Sequence, residues 1–198
     1  PSGSGRSSML RYLGFTAATS AKNISAHGDN RLFPILVRAN QFASRHGKIE
    51  DQILDAIRQT SGSVGGTLLP STFLSDLIET PGLRLLVMID GVDEVQNSRD
   101  LVEIVDFIGR FQKETQLGKK ACLVVTSKPS TAEHFRYSNF DVYEIEPLDL
   151  NSIEFVANRW LGDQARQFLN ENGALARSGL LSSPLALSMG LKLYERNR

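Results

Sequence analysis

The chain has 198 residues, 41% of them hydrophobic, with 22 basic residues balanced by 22 acidic ones and a single cysteine. That length suits one α/β domain with a small helical extension, and the neutral balance, with no strongly basic stretch, excludes the electrostatic footprint of a DNA- or RNA-binding protein. No run of roughly 18 apolar residues is present, so the sequence offers no membrane-spanning helix.

Pro1-Ser2-Gly3-Ser4-Gly5-Arg6-Ser7-Ser8 opens the chain. It reads as the phosphate-binding pattern G-x-x-x-x-G-K-[ST] entered part-way, with Gly5 as the second glycine, Arg6 at the lysine position and Ser7 at the Ser/Thr position; the first glycine and its strand are expected just before Pro1. Small, turn-prone residues let backbone N–H groups wrap an anion without Cβ obstruction. A helix expected from Arg6 to about Leu13 would turn its positive dipole end toward the same anion. In that arrangement Ser7 offers a hydroxyl to Mg²⁺ and Ser8 lies beside the α-phosphate. The alternative is a Gly/Ser-rich terminus with no ligand.

A polar loop follows, with Lys22, Asn23, His27, Gly28 and Asp29, and then Leu32–Val37 reads as a strand with Pro34 near its start. Ile49, Ile53, Leu54 and Ile57 recur at helical spacing, as do Phe73, Leu74, Leu77 and Ile78 behind Ser71 as a cap. Between these helices, Ser61–Gly66 reads as a flexible connection, since no Lys-Ser/Thr follows its glycines. Leu83–Ile89, apolar except for Arg84, is a run of strand length, the mark of a central strand in a parallel sheet covered on both faces. It ends in Asp90-Gly91-Val92-Asp93-Glu94. A carboxylate at the carboxyl end of such a strand stands where open α/β sheets bind ligands, and Asp90 can hold a Mg²⁺-bound water there.

Leu101, Ile104, Val105, Ile108 and Phe111 draw the apolar face of another helix, and Ala121–Val125 reads as the next buried strand, with Cys122 as a small core residue of a reducing compartment. Thr126-Ser127-Lys128-Pro129 ends that strand on the same edge as Asp90, so Lys128 either neutralises a γ-phosphate or is a solvated loop lysine. Val142–Ile145 reads as one more short strand. From Asn151 the pattern is helical: Asn151 with Glu154 as a capping box, Trp160 as a core residue, and a last helix opened by Ser183-Pro184. His27, His46 and His134 lack metal-ligand spacing.

Gly3-Ser4-Gly5-Arg6-Ser7-Ser8, Ile89-Asp90-Gly91-Val92-Asp93-Glu94, Val124–Pro129 and Ser183-Pro184-Leu185-Ala186-Leu187 together resemble the successive motifs of NACHT modules, the signal-transducing STAND class of P-loop NTPases. The resemblance implies an α/β P-loop fold over residues 1–147, with a parallel central sheet flanked by helices, and a helical subdomain over 148–198. It also implies a cytoplasmic switch that binds ATP or ADP with Mg²⁺, self-associates on activation and gates a larger immune or antiphage receptor whose sensor and effector domains flank the module. No nucleic acid or membrane partner is implied. The glycine loop from Ser2 to Ser8 would cradle the nucleotide, Ser7 and Asp90 would serve Mg²⁺, Asp93 and Glu94 would polarise the hydrolytic water, Lys128 would stand at the sensor position, and Pro184 would touch the nucleotide. Arg6 departs from the usual Lys and Lys128 from the usual Arg, which points to retained binding with slow hydrolysis. Two other classes stay open: a working AAA-like ATPase, and a nucleotide-independent scaffold with a degenerate loop.

Overall fold

Alternating apolar strands and amphipathic helices leave the chain one economical solution, a parallel sheet with helical crossovers. A computed structural model describes residues 3–23, 31–41, 48–61, 69–113, 120–135 and 140–196. They divide into two compact units, Ser7–Asp141, and Pro1–Arg6 with Val142–Arg198.

The first unit is built on three parallel strands, β1 (Arg31–Arg38), β2 (Leu83–Asp90) and β3 (Ala121–Val125), in the order β1-β2-β3. Side chains alternate across the sheet as the pleat requires. Ile35, Val37, Leu85, Val87, Ile89 and Ala121 enter one core with helices α2 (Ile49–Ser61), α3 (Phe73–Glu79) and α4 (Ser98–Lys113). Leu86 and Met88 point the other way, onto α1 (Arg6–Asn23), with Leu32, Leu36 and Val124 beside them. Helices therefore cover both faces of β2, and its five residues from Leu85 to Ile89 are all buried.

All three strands expected from 32–37, 83–89 and 121–125 are present, and Phe107, absent from the sequence reading of α4, joins its buried face. Pro34 lies within β1, in register with Leu86. β1 has a single strand neighbour among the described strands, so a residue without an N–H fits there as it does on edge strands.

Other expectations are corrected. Helix α1 runs on past Leu13 to Asn23, through Gly14. Gly14 is where the helix closes on the sheet: a Cβ there would stand 3.1 Å from Met88 Cε. Helix α3 is capped at Thr72, not Ser71, and without a side-chain bond, because Thr72 is already helical in its backbone (φ −81°, ψ −6°). Val142–Ile145 forms no strand; Val142 and Tyr143 are exposed, with no strand beside them among the described residues. Cys122 is exposed, since β3 is an end strand of the described sheet. His27, His46 and most of the connection after Ser61 lie outside the described residues.

The second unit contains α6 (Leu150–Leu161), α7 (Ala165–Arg177) and α8 (Pro184–Arg196), numbered after a single turn α5 (Pro129–Ala132) in the first unit. Ile153, Ala157, Phe168, Leu187 and Leu191 form its core, and Phe168 meets Tyr194 edge-on at 5.2 Å. Trp160 is 46% exposed and is not part of this core, although it follows Ile153 and Ala157 at helical spacing in the last turn of α6. The N-cap of α6 is Asp149 rather than Asn151: its extended backbone (φ −77°, ψ 173°) lets Oδ1 accept the Ser152 N–H at 2.7 Å. Ser183 opens α8 as expected, its hydroxyl accepting the Ala186 N–H at 3.2 Å.

Two measurements check this account. Ile104 is fully buried in the sheet core, so Ile104→Ala is expected to cost about 2–5 kcal/mol, read as a lower urea midpoint at unchanged slope. The Ser152 side chain, and then its backbone N–H, hold the Asp149 carboxyl below its ordinary value of 3.8. A lowered folded-state value means the cap stabilises above the unfolded value and is lost as pH falls through the folded one. Thermal melts between pH 5 and pH 2 are expected to show a smaller acid-induced fall in Asp149→Asn than in the parent; identical falls would refute the assignment.

Candidate functional site

The parallel register that buries β2 also sets what stands at its carboxyl end. Arg38 pairs with Asp90 across β1 and β2, and Val125 pairs with Ile89 across β2 and β3, so Thr126 comes level with Asp90. Both strands stop here and their ends are tied together. The Thr126 N–H donates to the Ile89 carbonyl at 2.9 Å and the Val92 N–H to the Thr126 carbonyl at 3.0 Å.

Side chains complete the tie. The Gly91 N–H donates to Thr126 Oγ1 at 3.0 Å, and Thr126 Oγ1 donates to Asp90 Oδ1 at 2.7 Å. Gly91 adopts a left-handed conformation (φ 76°, ψ 47°) that turns the chain into the Val92–Glu94 turn, and a Cβ there would meet Glu94 Cδ at 3.0 Å. The turn buries the Asp93 side chain, 3% exposed, against Lys128, whose Nζ lies 3.2 Å from Asp93 Oδ2. The half-exposed Lys128 is held from its other side by the backbone, since its carbonyl accepts the Thr131 and Ala132 N–H groups of α5.

Asp90, Asp93 and Lys128, all expected from sequence, thus share one sheet edge. Glu94 is exposed and folded back over Gly91. Lys128 is an ion-pair partner of a buried carboxylate rather than a free loop cation, so its charge is already engaged. The sequence placed Thr126 on this edge without a role of its own, and it did not place Arg38 level with Asp90. The signal for Thr126 lay in its place directly after the apolar run 121–125; for Arg38 it lay only in a register that sequence does not state.

Gly3, Ser4, Gly5 and Pro184 form a second group. Gly3 (φ 84°) and Gly5 (φ 90°) are both left-handed, as a loop that turns its N–H groups inward requires. Their lack of side chains also has a packing reason: a Cβ on Gly3 would stand 2.7 Å from Leu185 Cβ, and one on Gly5 3.2 Å from Pro184 Cγ. The Leu185 N–H reaches the Gly3 carbonyl at 3.4 Å. Arg6 is the first residue of α1, Ser7 is half-buried in its first turn and Ser8 is exposed. That turn carries no acidic residue to oppose an anion. Ser2 lies outside the described residues.

Among the described residues, no three His, Cys, Asp or Glu side chains are grouped to hold a metal ion unaided, and no helix is long and apolar enough to cross a membrane. One or two protein oxygens with phosphate and water fit magnesium, which binds in that way rather than in all-protein cages. Comparison with protein-family models and with curated proteins finds no match to this chain.

Gly91→Ala forces a left-handed conformation on a residue with a Cβ and pushes Glu94 aside. A loss of about 1–2 kcal/mol is expected in chemical denaturation, whereas no loss would mean the turn can relax into another form.

Proposed function

We propose that this chain is an ATP/ADP-binding module of the NACHT type, a P-loop switch that gates self-association of a larger immune or antiphage receptor and hydrolyses ATP slowly. The observation that carries the reading is the carboxylate of Asp90, at the carboxyl end of the central parallel strand and oriented by a hydrogen bond. Supporting it is α1, whose first turn holds Ser7, which follows directly on a left-handed Gly3–Gly5 loop, and which packs on Met88, two residues before Asp90.

In this reading the loop N–H groups and the dipole of α1 bind the β-phosphate, and Arg6 contributes charge with a wide, planar head in place of a compact ammonium. Ser7 and Asp90 hold Mg²⁺, which when bound offsets phosphate charge. Asp93 and Lys128 work as a pair: a phosphate that draws Lys128 toward it competes with Asp93 for the same ammonium. That competition couples the nucleotide state to the Val92–Glu94 turn. It also favours slow turnover, because each charge must leave its partner before it meets the reacting groups.

A specific observation favours a second reading, the nucleotide-independent scaffold: Leu185 and Pro184 account for Gly3 and Gly5 by packing alone. A single set of measurements on the intact polypeptide separates the two. Denaturing the purified protein is expected to release ADP, and Mg²⁺-ADP affinity is expected to fall at least about tenfold in Asp90→Ala and in Ser7→Ala, a loss of about 1.4 kcal/mol or more. An empty protein that binds neither ATP nor ADP would leave the scaffold reading in place. Steady-state turnover in the range of about 1–1,000 per second, typical of working enzymes, would favour the AAA-like ATPase instead.

A further inference from the structure

We propose that Thr126 is a positioning residue that sets the orientation of the Asp90 carboxylate and thereby the strength of magnesium binding; the inference rests on the nucleotide-binding reading of Asp90. Thr126 is a buried residue, 5% exposed, and its hydroxyl has two neighbours whose roles are chemically distinct. The Gly91 N–H can only donate, and it occupies a lone pair of Oγ1 at 3.0 Å. A carboxylate can only accept, so the hydroxyl proton points at Asp90 Oδ1, 2.7 Å away. The hydroxyl rotor is therefore locked by its surroundings, and it locks the carboxylate in turn. With one lone pair of Oδ1 engaged, Oδ2 keeps its full acceptor capacity for a magnesium-bound water.

The backbone of Thr126 carries a separate function. Its N–H and carbonyl tie β2 to β3 through Ile89 and Val92, and no side-chain substitution removes those bonds. Thr126→Val keeps the shape and the backbone tie and deletes only the hydroxyl. It leaves the Gly91 N–H without its acceptor and Asp90 without its fixed partner. Thr126→Ser keeps the hydroxyl. A role confined to strand packing would make serine, which loses the methyl group, at least as harmful as valine; a role through Asp90 reverses that order.

The test titrates MgCl₂ against the intact polypeptide at fixed fluorescent ADP, with thermal melts as a control for folding. In Thr126→Val the magnesium concentration at half-maximal binding is expected to rise about 10–100-fold, the usual effect of removing a partner that orients a metal ligand. Binding measured in EDTA is expected to stay unchanged, and Thr126→Ser to restore the magnesium midpoint. Should Thr126→Val fail to fold, Thr126→Cys, with a weaker donor, gives the same comparison with a smaller rise. Magnesium-dependent ADP binding in the parent with an unmoved midpoint in the variant would overturn the role of Thr126 and leave the nucleotide reading intact. Absence of ADP binding in the parent would overturn both.

Discussion

Everything at the candidate site depends on β2 being buried on both faces. Leu85, Val87 and Ile89 face the core shared with α2, α3 and α4, while Leu86 and Met88 face α1. A strand buried in this way cannot slip by one residue without exchanging its two faces, and flanking pairs on both sides add to that restraint. The restraint ends at Asp90, the first half-buried residue after five buried ones. A charged group at that point is held to the position of a rigid strand yet remains open to a ligand, a combination that loops alone do not supply.

Polar contacts at the strand ends convert this rigidity into chemistry. Thr126 is a buried polar residue whose hydroxyl and backbone are all bonded, so its burial carries no desolvation penalty left uncompensated. Asp93, more deeply buried than its partner Lys128, forms an ion pair with an exposed outer member. Pairs of that kind add little to stability, since desolvation offsets much of the attraction. What such a pair does well is hold two charges in a defined relation that a competing charge can change, the property a nucleotide-gated element requires.

The glycine loop obeys two constraints at once. Positive φ at Gly3 and Gly5 turns the backbone in the sense that anion-binding loops use, and the start of α8 packs so closely that a Cβ at Gly3 would collide with Leu185. Substitution at Gly3 would therefore disturb packing and loop geometry together, which is why Asp90 and Ser7 are the cleaner positions from which to probe ligand binding.

Much of this architecture was legible in the sequence, for a physical reason. Strand burial and helix amphipathicity are local periodicities, so the runs 83–89 and 121–125 and the apolar stripes of α2 and α4 announced themselves, and an acidic cluster closing an apolar run marked the end of the central strand. Where the reading failed, the deciding force acted over distance. The helix expected to end near Leu13 runs on through Gly14, where the chain closes on Met88; Val142–Ile145 was read as a strand but has none beside it among the described residues; Cys122 and Trp160 looked like core and are exposed. By itself, then, the sequence determined that the runs 32–37, 83–89 and 121–125 are strands, that the apolar stripes of α2 and α4 are helices and where carboxylates follow a buried strand, because those follow from residue period and polarity. Tertiary structure alone decided that Thr126 grips Asp90, that Lys128 is engaged by Asp93, and that Pro184 and Leu185 close on the glycine loop, because hydrogen bonds and contacts between residues 35 to 182 positions apart depend on register and packing that no local pattern encodes.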